Sequence, residues 1–193
     1  MNKKENSVNI KNIILDYTKI FNASLCIAND EVRYYLNGIF IKDTKDGYRE
    51  YYATNGHIMY KGVCKYTGDS IGKEGIIFRT DWKSILKNRT IKNNCYISLK
   101  KYDDNYIIDD TYFNIKTIDG TFPDCNKVIP NKKELKQLKF YRYFDPIYME
   151  KVKKIIDNFS VNEIYSTSKN FEEIEPAVFF DKENTVVLMP IRS

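Results

Sequence analysis

Residues 31–60 constrain the fold of this 193-residue chain more than any other stretch. From Val32 to Asn37, Val, Tyr and Leu alternate with Arg, Tyr and Asn, the two-residue period of a half-buried strand. Asp46-Gly47 and Asn55-Gly56 can each supply the positive φ angles that a two-residue hairpin turn requires. The stretch therefore predicts a meander of two or three antiparallel strands joined by tight turns.

The composition is that of an ordinary globular protein, with 42% hydrophobic and 30% charged residues. Aromatic residues make up 15% of the chain and include 16 Tyr, which favours β structure. The net charge of +5 permits nucleic-acid binding without requiring it. The polar start MNKKENS precedes no signal-peptide core, and no apolar run reaches the roughly 18 residues of a membrane span. We therefore expect a cytoplasmic protein with no membrane partner.

The metal-ligating and nucleophilic residues are few and scattered. Cys26, Cys64, Cys95 and Cys125 form no C-x-x-C pair, and His57 is the only histidine, so we expect reduced thiols, no metal site and no cofactor. A lone histidine after a hairpin turn is more often structural than catalytic. The pairs Asp103-Asp104 and Asp109-Asp110 fall in predicted turns, where solvated carboxylates are the simpler interpretation. We expect no catalytic residue and no enzyme activity.

Three amphipathic segments predict helices. The first covers residues 9–22, the second begins after a Thr80 or Asp81 cap, and the third begins at Asp145-Pro146. Each is preceded by a strand and followed by about three strands, with a period of roughly 60 to 70 residues. Because each helix is apolar on one side only, the helices should pack on a sheet. The sequence thus predicts an α+β fold of three repeats, each a strand-helix-strands unit.

Four sequence motifs carry a family resemblance. RYYLNG (33–38), ATNGH (53–57), IDGTFPD-x4-IP (118–130) and VLMPIRS (187–193) occur in the order in which similar segments occur in the bacterial sliding clamp, the DNA polymerase III beta subunit family. The resemblance implies a DNA-clamp-like fold with helices packed on antiparallel sheets. We expect a disordered tail at 1–7, a complete domain resembling the central clamp domain at 8–130, and a half domain with the C-terminal tail at 131–193.

The resemblance also implies two sites. A pocket for client peptides would use residues from the motifs and from the connector after them: Leu36, Thr54, Gly56, His57, Met59, Pro130, Val187, Leu188, Met189, Pro190, Ile191 and Arg192. Helix cations would face duplex phosphates without reading sequence: Lys11, Lys19, Lys83, Lys87, Arg89, Lys153 and Lys154. From the residues alone, the tail could equally be a closing edge strand, and the lysines could be a solvated face.

Two functions from different classes follow from the resemblance. In the first, the chain is a non-enzymatic processivity clamp that binds double-stranded DNA and a DNA polymerase or other replisome proteins through their short linear motifs. Family members have three domains of two units, and the missing parts close their dimer ring. A chain of three units would then need a homo-oligomer of four copies to reach twelve units. In the second, the chain is a ringless interaction module that captures the same motifs and regulates or competes with the host replisome.

Overall fold

The computed structural model describes residues 11–29, 32–102, 105–109, 111, 113–131, 133–137, 144–156, 164–166 and 176–191. Within these residues, twelve strands form one antiparallel sheet, and four helices pack on one of its faces. The expected α+β class and the three strand-helix-strands repeats are confirmed. We call the repeats units A, B and C.

The three units follow one another along the chain. Unit A comprises β1 (Asn12–Asp16), α1 (Tyr17–Ser24), β2 (Ile39–Asp43), β3 (Tyr48–Thr54) and β4 (Ile58–Lys65). Unit B comprises β5 (Ile76–Arg79), α2 (Trp82–Lys87), α3 (Arg89–Asn94), β6 (Tyr96–Tyr102), β7 (Asn105–Ile108) and β8 (Asn114–Ile118). Unit C comprises β9 (Lys136–Gln137), α4 (Pro146–Ile155), β10 (Tyr165–Ser166), β11 (Ala177–Phe180) and β12 (Asn184–Leu188).

The strand order shows how the units are joined. Across the described residues it is β1-β6-β7-β8-β5-β2-β3-β4-β12-β11-β10-β9. Units A and B exchange their first strands, because β1 pairs with β6 and β5 pairs with β2. Unit C is attached through the β4–β12 ladder, which runs from the Ile58–Leu188 pair to the Gly62–Asn184 pair. The sheet therefore continues from unit A directly into unit C.

An aspartate begins the first helix of every unit. The carboxylates of Asp16, Asp81 and Asp145 accept hydrogen bonds from the backbone N–H groups of Lys19, Ser84 and Ile147, at 2.8, 3.1 and 2.8 Å. Each bond satisfies a donor that the first helical turn leaves without a partner. The predicted starts of the second and third helices are confirmed.

The predicted helix over residues 9–22 is wrong in its first half. In β1, Ile13 and Leu15 are buried and their neighbours are less so, which is the alternation of a strand. The helix begins only after the Asp16 cap. The apolar spacing from Ile13 to Phe21 suits a helix, but the ladder that β1 forms with β6 decides the structure of its first part.

The sheet is buried on both faces, and neighbouring residues contribute to different cores. Tyr51 and Ala53 belong to the core beneath the helices, whereas Tyr52 points to a second core on the opposite face. In β12, Val186 and Leu188 contribute to the helix-side core and Val187 to the opposite one. Strands buried on both faces carry nearly continuous apolar runs, as in AVFF and TVVL.

The meander begins later than the sequence predicts. Tyr34–Leu36 forms a 3-10 turn instead of a strand, and the Leu36 carbonyl accepts a hydrogen bond from the Ala28 N–H at 3.1 Å. Strands begin at Ile39, and both predicted glycine turns are confirmed, with φ of 79° at Gly47 and 90° at Gly56. The predicted tail at 1–7 lies outside the described residues.

Candidate functional site

A groove of about 530 Å³ opens on the face of the sheet opposite the helices, where β4 begins and β12 ends. Its lining combines apolar side chains with a few polar ones. The groove residues are Arg33, Tyr35, Leu36, Thr54, Gly56, His57, Ile58, Met59, Pro123, Asp124, Cys125, Lys127, Val128, Pro176, Val187 and Met189. They come from unit A, from the segment that follows unit B, and from unit C, so the groove is formed where these parts meet.

The first wall is the turn between β3 and β4, which side-chain hydrogen bonds fix. The Thr54 hydroxyl accepts from the Gly56 N–H at 3.1 Å and donates to the Ile58 carbonyl at 2.9 Å. The Asn55 side-chain oxygen accepts from the N–H groups of His57 and Ile58, each at 3.0 Å. Polar side chains that bond to the nearby backbone in this way stabilise turns. The His57 ring is therefore presented at the groove from a defined turn.

The second wall is the end of β12, and it is held to the first. The Met189 N–H donates to the His57 carbonyl at 2.9 Å, which extends the β4–β12 ladder by one bond. Tyr148 of α4 contacts the turn between β3 and β4. Its ring stacks on His57 with centroids 5.9 Å apart, and its hydroxyl accepts from the Asn55 amide at 3.1 Å. Helix α4 thus supports the first wall, and the bond from Met189 holds the second wall to it.

The third wall is residues 119–130, which cross the sheet and which we call the strap. The strap is anchored at one end by Phe122, whose ring stacks on Phe40 with centroids 5.2 Å apart. Further along, the Asn126 side-chain oxygen accepts from Lys61 Nζ at 3.0 Å and lies 3.4 Å from the Tyr52 hydroxyl, which donates to Glu50. Buried aromatic contacts and these hydrogen bonds hold the strap against β3 and β4.

The carboxylate of Glu50 positions Lys61, which bonds Asn126 of the strap. Burial raises the pKa of Glu50, but the hydrogen bonds from Lys61 and the Tyr52 hydroxyl together lower it by more. The pKa of Glu50 therefore lies below its usual range. Lys61 Nζ lies 3.1 Å from Glu50 Oε1, and Lys42 Nζ lies 3.5 Å from Glu50 Oε2. The carboxylate is therefore ionised at neutral pH and keeps Lys61 in place to bond the strap.

The structure brings most of the predicted pocket together. Seven predicted residues line the groove: Leu36, Thr54, Gly56, His57, Met59, Val187 and Met189. Leu188 does not, because alternation along β12 directs it into the helix-side core, where it is fully buried. Pro130, Pro190 and Ile191 lie outside the lining. Arg192 lies beyond the described residues.

Sequence reasoning missed most of the third wall. The groove residues that it did not assign are Arg33, Tyr35, Ile58, Pro123, Asp124, Cys125, Lys127, Val128 and Pro176. Most belong to the strap, which lies inside a motif that carries the family resemblance. From its two prolines, however, the segment was interpreted as a loop that leads out of the domain. The detectable indication was its content of Phe122, Cys125 and Ile129, since apolar residues within a polar loop must be buried somewhere.

The groove offers surface for binding rather than an activated nucleophile. Burial raises the pKa of the Cys125 thiol to about 11, so the thiol is protonated at neutral pH and unreactive. Among the described residues, no group of three or more His, Cys, Asp and Glu could hold a metal ion. Asp103, Asp104 and Asp110 lie outside those residues, and Asp109 is bonded to Lys100 at 2.6 Å. Within the described part of the chain, no helix is long and apolar enough to cross a membrane.

The structure places four of the seven predicted DNA-facing cations on the exposed surface of helices. Lys83 and Lys87 are exposed on α2, and Lys153 and Lys154 are exposed on α4. Lys11 is exposed but precedes β1, so it is not on a helix. The prediction for Lys19 is wrong, because Lys19 is only 3% exposed and its Nζ lies 2.7 Å from Glu183 Oε2. The side chain of Arg89 is outside the described part of the molecule.

Comparison with known proteins places this fold in a class. No protein-family model and no curated protein matches the chain. Solved structures do match, and they are sliding clamps. The chain therefore has the sliding-clamp fold, with α1, α2, α3 and α4 on one face of a continuous antiparallel sheet.

The similar structures are bacterial DNA polymerase III beta subunits. Pol III beta of Caulobacter crescentus is 18% identical with a TM-score of 0.69, over 97% of this chain and 67% of that one. The Pseudomonas aeruginosa clamp is 17% identical with a TM-score of 0.65, over 95% and 66%. The beta subunit of Thermotoga maritima is 13% identical with a TM-score of 0.66, over 95% and 65%. The chain spans about two thirds of the length of these clamps.

Proposed function

We propose that the groove binds short linear peptide motifs of replication proteins and that the chain acts as a non-enzymatic, clamp-like replication factor. The observation that carries the proposal is the convergence of three walls on one apolar groove of about 530 Å³. Pockets of this size, mostly apolar with a few fixed polar groups, are typical binding sites. The clamp from Bartonella birtlesii binds griselimycin, a precedent for ligand binding by this fold.

The lining defines the peptide. Leu36, Met59 and Val187 provide an apolar floor, which suits two large apolar side chains at the end of the motif. The glutamine expected at the start of the motif follows from the family resemblance. Burying two such side chains contributes roughly 3 to 6 kcal/mol before ordering costs. Those costs limit the affinity of a peptide of about six residues to the micromolar range.

A peptide titration tests the groove. The probe is a fluorescein-labelled peptide of about six residues, with glutamine first and leucine and phenylalanine last. Met189 lines the groove and is 39% exposed, so Met189→Glu places a charge there without disturbing the core. We expect this change to weaken binding at least tenfold. Leu36→Lys should also abolish binding, but Leu36 is only 2% exposed, so its folding must be checked separately.

Ile147→Glu is the matched control. Ile147 is an exposed apolar residue on α4, outside the groove, and its replacement adds the same charge. It should bind the peptide like the wild type. Deleting residues 189–193 should remove binding, because these residues include part of the second wall. Equal peptide affinity in the wild type, Met189→Glu and the deletion would refute the groove as the binding site.

The helix face favours DNA as a second partner. Lys83, Lys87, Lys153 and Lys154 are exposed on helices that pack on the same side of the sheet. Of these, Lys154 is paired with Glu150 at 2.7 Å, which weakens the local positive charge. Cations aligned on one face contact phosphates without reading bases, and this binding weakens as salt rises. We propose that this face contacts double-stranded DNA in a homo-oligomeric clamp.

Retention on circular DNA tests encirclement. A closed assembly should remain on a circular duplex and dissociate when the circle is cut. Lys83→Glu with Lys153→Glu should reduce retention without changing the melting temperature, because exposed charges contribute little to stability. Lys45→Glu with Lys73→Glu changes two exposed lysines that lie in loops and not on helices, and should have no effect. Equal retention on linear and circular DNA would reduce the proposal to surface binding.

The alternative function, a ringless interaction module, also uses the groove but predicts no retention on circular DNA. A monomer that binds the client peptide but is not retained on circular DNA would compete with a host clamp for its clients. The solution mass from light scattering separates the two functions, because a monomer cannot encircle a duplex. A tetramer would support the clamp, since four chains of three units reach the twelve units expected of the ring.

A further inference from the structure

A second cavity, of about 840 Å³, lies on the same face of the sheet as the groove. The strap lines both spaces in succession. Residues 119–122 line the second cavity, and Pro123 is the first of the strap residues that line the groove. Gly120 also lies beside Tyr35 of the groove, because a Cβ on Gly120 would be 3.5 Å from the Tyr35 Cβ. The two spaces therefore adjoin along the strap at Phe122 and Pro123, and we call this part of the strap the ridge.

The floor of the second cavity is apolar and aromatic. It contains Phe40, Ile77, Ile118 and Phe122, all of which belong to the core on this face. The rings of Phe40 and Phe122 are nearly parallel, with an interplanar angle of 12°. The two rings stack on each other, with centroids 5.2 Å apart, so together they form an apolar surface on which the methylene stem of a long side chain can lie.

The rim of the second cavity carries two exposed carboxylates, Glu74 and Asp119. Within the described part of the chain, neither side chain has a recorded hydrogen bond or ion pair. The basic residue of the lining, Lys101, lies over the Tyr106 ring, 5.9 Å from its centroid. An apolar floor beneath unpaired carboxylates is complementary to an arginine or lysine side chain.

We propose that the second cavity binds a basic side chain of the client peptide, contributed by the residues that flank the motif in the groove. The inference rests on the proposed function, because the motif places the flanking residues beside the ridge. An extension of four residues spans up to about 14 Å, enough to cross the ridge. The stem of the basic side chain lies on Phe40 and Phe122, and its charged end reaches Glu74 or Asp119.

The test compares three kinds of peptide, and the two kinds that carry an extension are made with it at either end of the motif. The first is the motif alone, the second carries a four-residue extension with two arginines, and the third has glutamine in place of both arginines. We expect the arginine extension at one end to raise the affinity for the wild type about fivefold over its glutamine counterpart, a gain that 0.5 M salt removes. Its loss in salt would show that the gain is electrostatic, and the carboxylate variants locate it on the surface.

The variant Glu74→Gln with Asp119→Asn should lose the gain and still bind the motif alone like the wild type. Asp46→Asn with Glu134→Gln, two exposed acids outside both spaces, should keep the gain. An equal gain at both ends, or a gain that survives in Glu74→Gln with Asp119→Asn, overturns the second cavity alone. A wild type that does not bind even the motif overturns the proposed function as well, and the motif-only titration shows this directly.

Discussion

The first helices of units A and C begin alike and then differ on one flank. Both follow an aspartate cap, and Tyr17 and Phe21 of α1 occupy the first and fifth positions after it. The Tyr17 hydroxyl donates to the Leu86 carbonyl at the end of α2 at 3.0 Å, and the Phe21 ring stacks on Tyr17. In α4 the same positions hold Pro146 and Glu150. The flank that packs against a neighbouring helix in unit A is therefore polar in unit C.

The first strands of the units also differ, in whether they pair with another unit or with their own. Units A and B each place their first strand on the second strand of the other, whereas β9 of unit C pairs with β10 of its own unit. Unit C therefore exchanges no strand with another unit, and β9 forms the end of the sheet. The position of unit C depends instead on the β4–β12 ladder and on its side-chain contacts with unit A.

The largest expected effect comes from an ion pair buried in unit A. Arg49 is fully buried, and its guanidinium bonds Asp43 at 2.7 Å and the Ile14 carbonyl of β1 at 2.6 Å. Arg49→Met leaves the carboxylate buried without its cation, so we expect a loss of about 3 to 5 kcal/mol in the free energy of unfolding. Urea unfolding followed through Trp82, the only tryptophan, measures it. The exposed Arg79→Met is the control, and an unchanged midpoint would mean that β1 is held independently of Arg49.

The same pair predicts sensitivity to acid. Burial raises the pKa of Asp43, but hydrogen bonds from Arg49, Ser70 and the Ile71 N–H outweigh it, so the net shift is downward. A carboxyl whose pKa is lower in the folded state stabilises the fold above its unfolded pKa of about 3.9, and the contribution is lost as pH falls through the folded value. We expect the stability of the wild type to fall below about pH 4 and that of Asp43→Asn to fall less steeply. Parallel pH profiles would contradict the assignment.

A smaller effect is expected where unit C meets unit A. Lys19 Nζ of α1 bonds Glu183 at 2.7 Å and the Asn184 side-chain oxygen at 3.2 Å, at the β11–β12 turn. Glu183→Gln leaves a buried ammonium with neutral acceptors, so we expect a loss of about 1 to 3 kcal/mol in the free energy of unfolding. Peptide affinity should fall with it, because the same hairpin carries Val187. The double change Lys19→Met with Glu183→Gln should recover most of the loss. If it does not, Lys19 is not held there by Glu183.

The repeats were predictable from sequence because each carries its own local pattern. Helix caps such as Asp81 and turn glycines such as Gly47 act within a few residues, and both are found where expected. The first strand was not, because the register of β1 against β6 is set by residues about 85 positions away, as in the Asn12–Lys100 pair. Local apolar spacing alone cannot distinguish a strand that leads into a helix from one longer helix.

The groove shows the same limit. Two of its walls were predicted, because Thr54 to Met59 and Val187 to Met189 carry recognisable motifs. The strap was missed, because its place depends on contacts of Asn126 with Tyr52 and Lys61 that are distant in sequence. Lys19 was misassigned because its position on a helix does not reveal that Glu183, far along the chain, covers it.

The smallest effects distinguish the two helix flanks directly. Tyr17→Phe removes the hydroxyl that bonds the Leu86 carbonyl, so we expect a loss of about 0.5 to 1.5 kcal/mol in the free energy of unfolding. Glu150→Gln breaks only the exposed pair with Lys154 on α4, and such pairs contribute little in water, so the urea midpoint should not move measurably. Both proteins should bind the client peptide normally. A clear loss in Glu150→Gln would show that the polar flank of α4 is packed in solution, as it would be against a second copy of the chain. The loss should then grow smaller as the protein is diluted, because the contact would already be broken in the wild type.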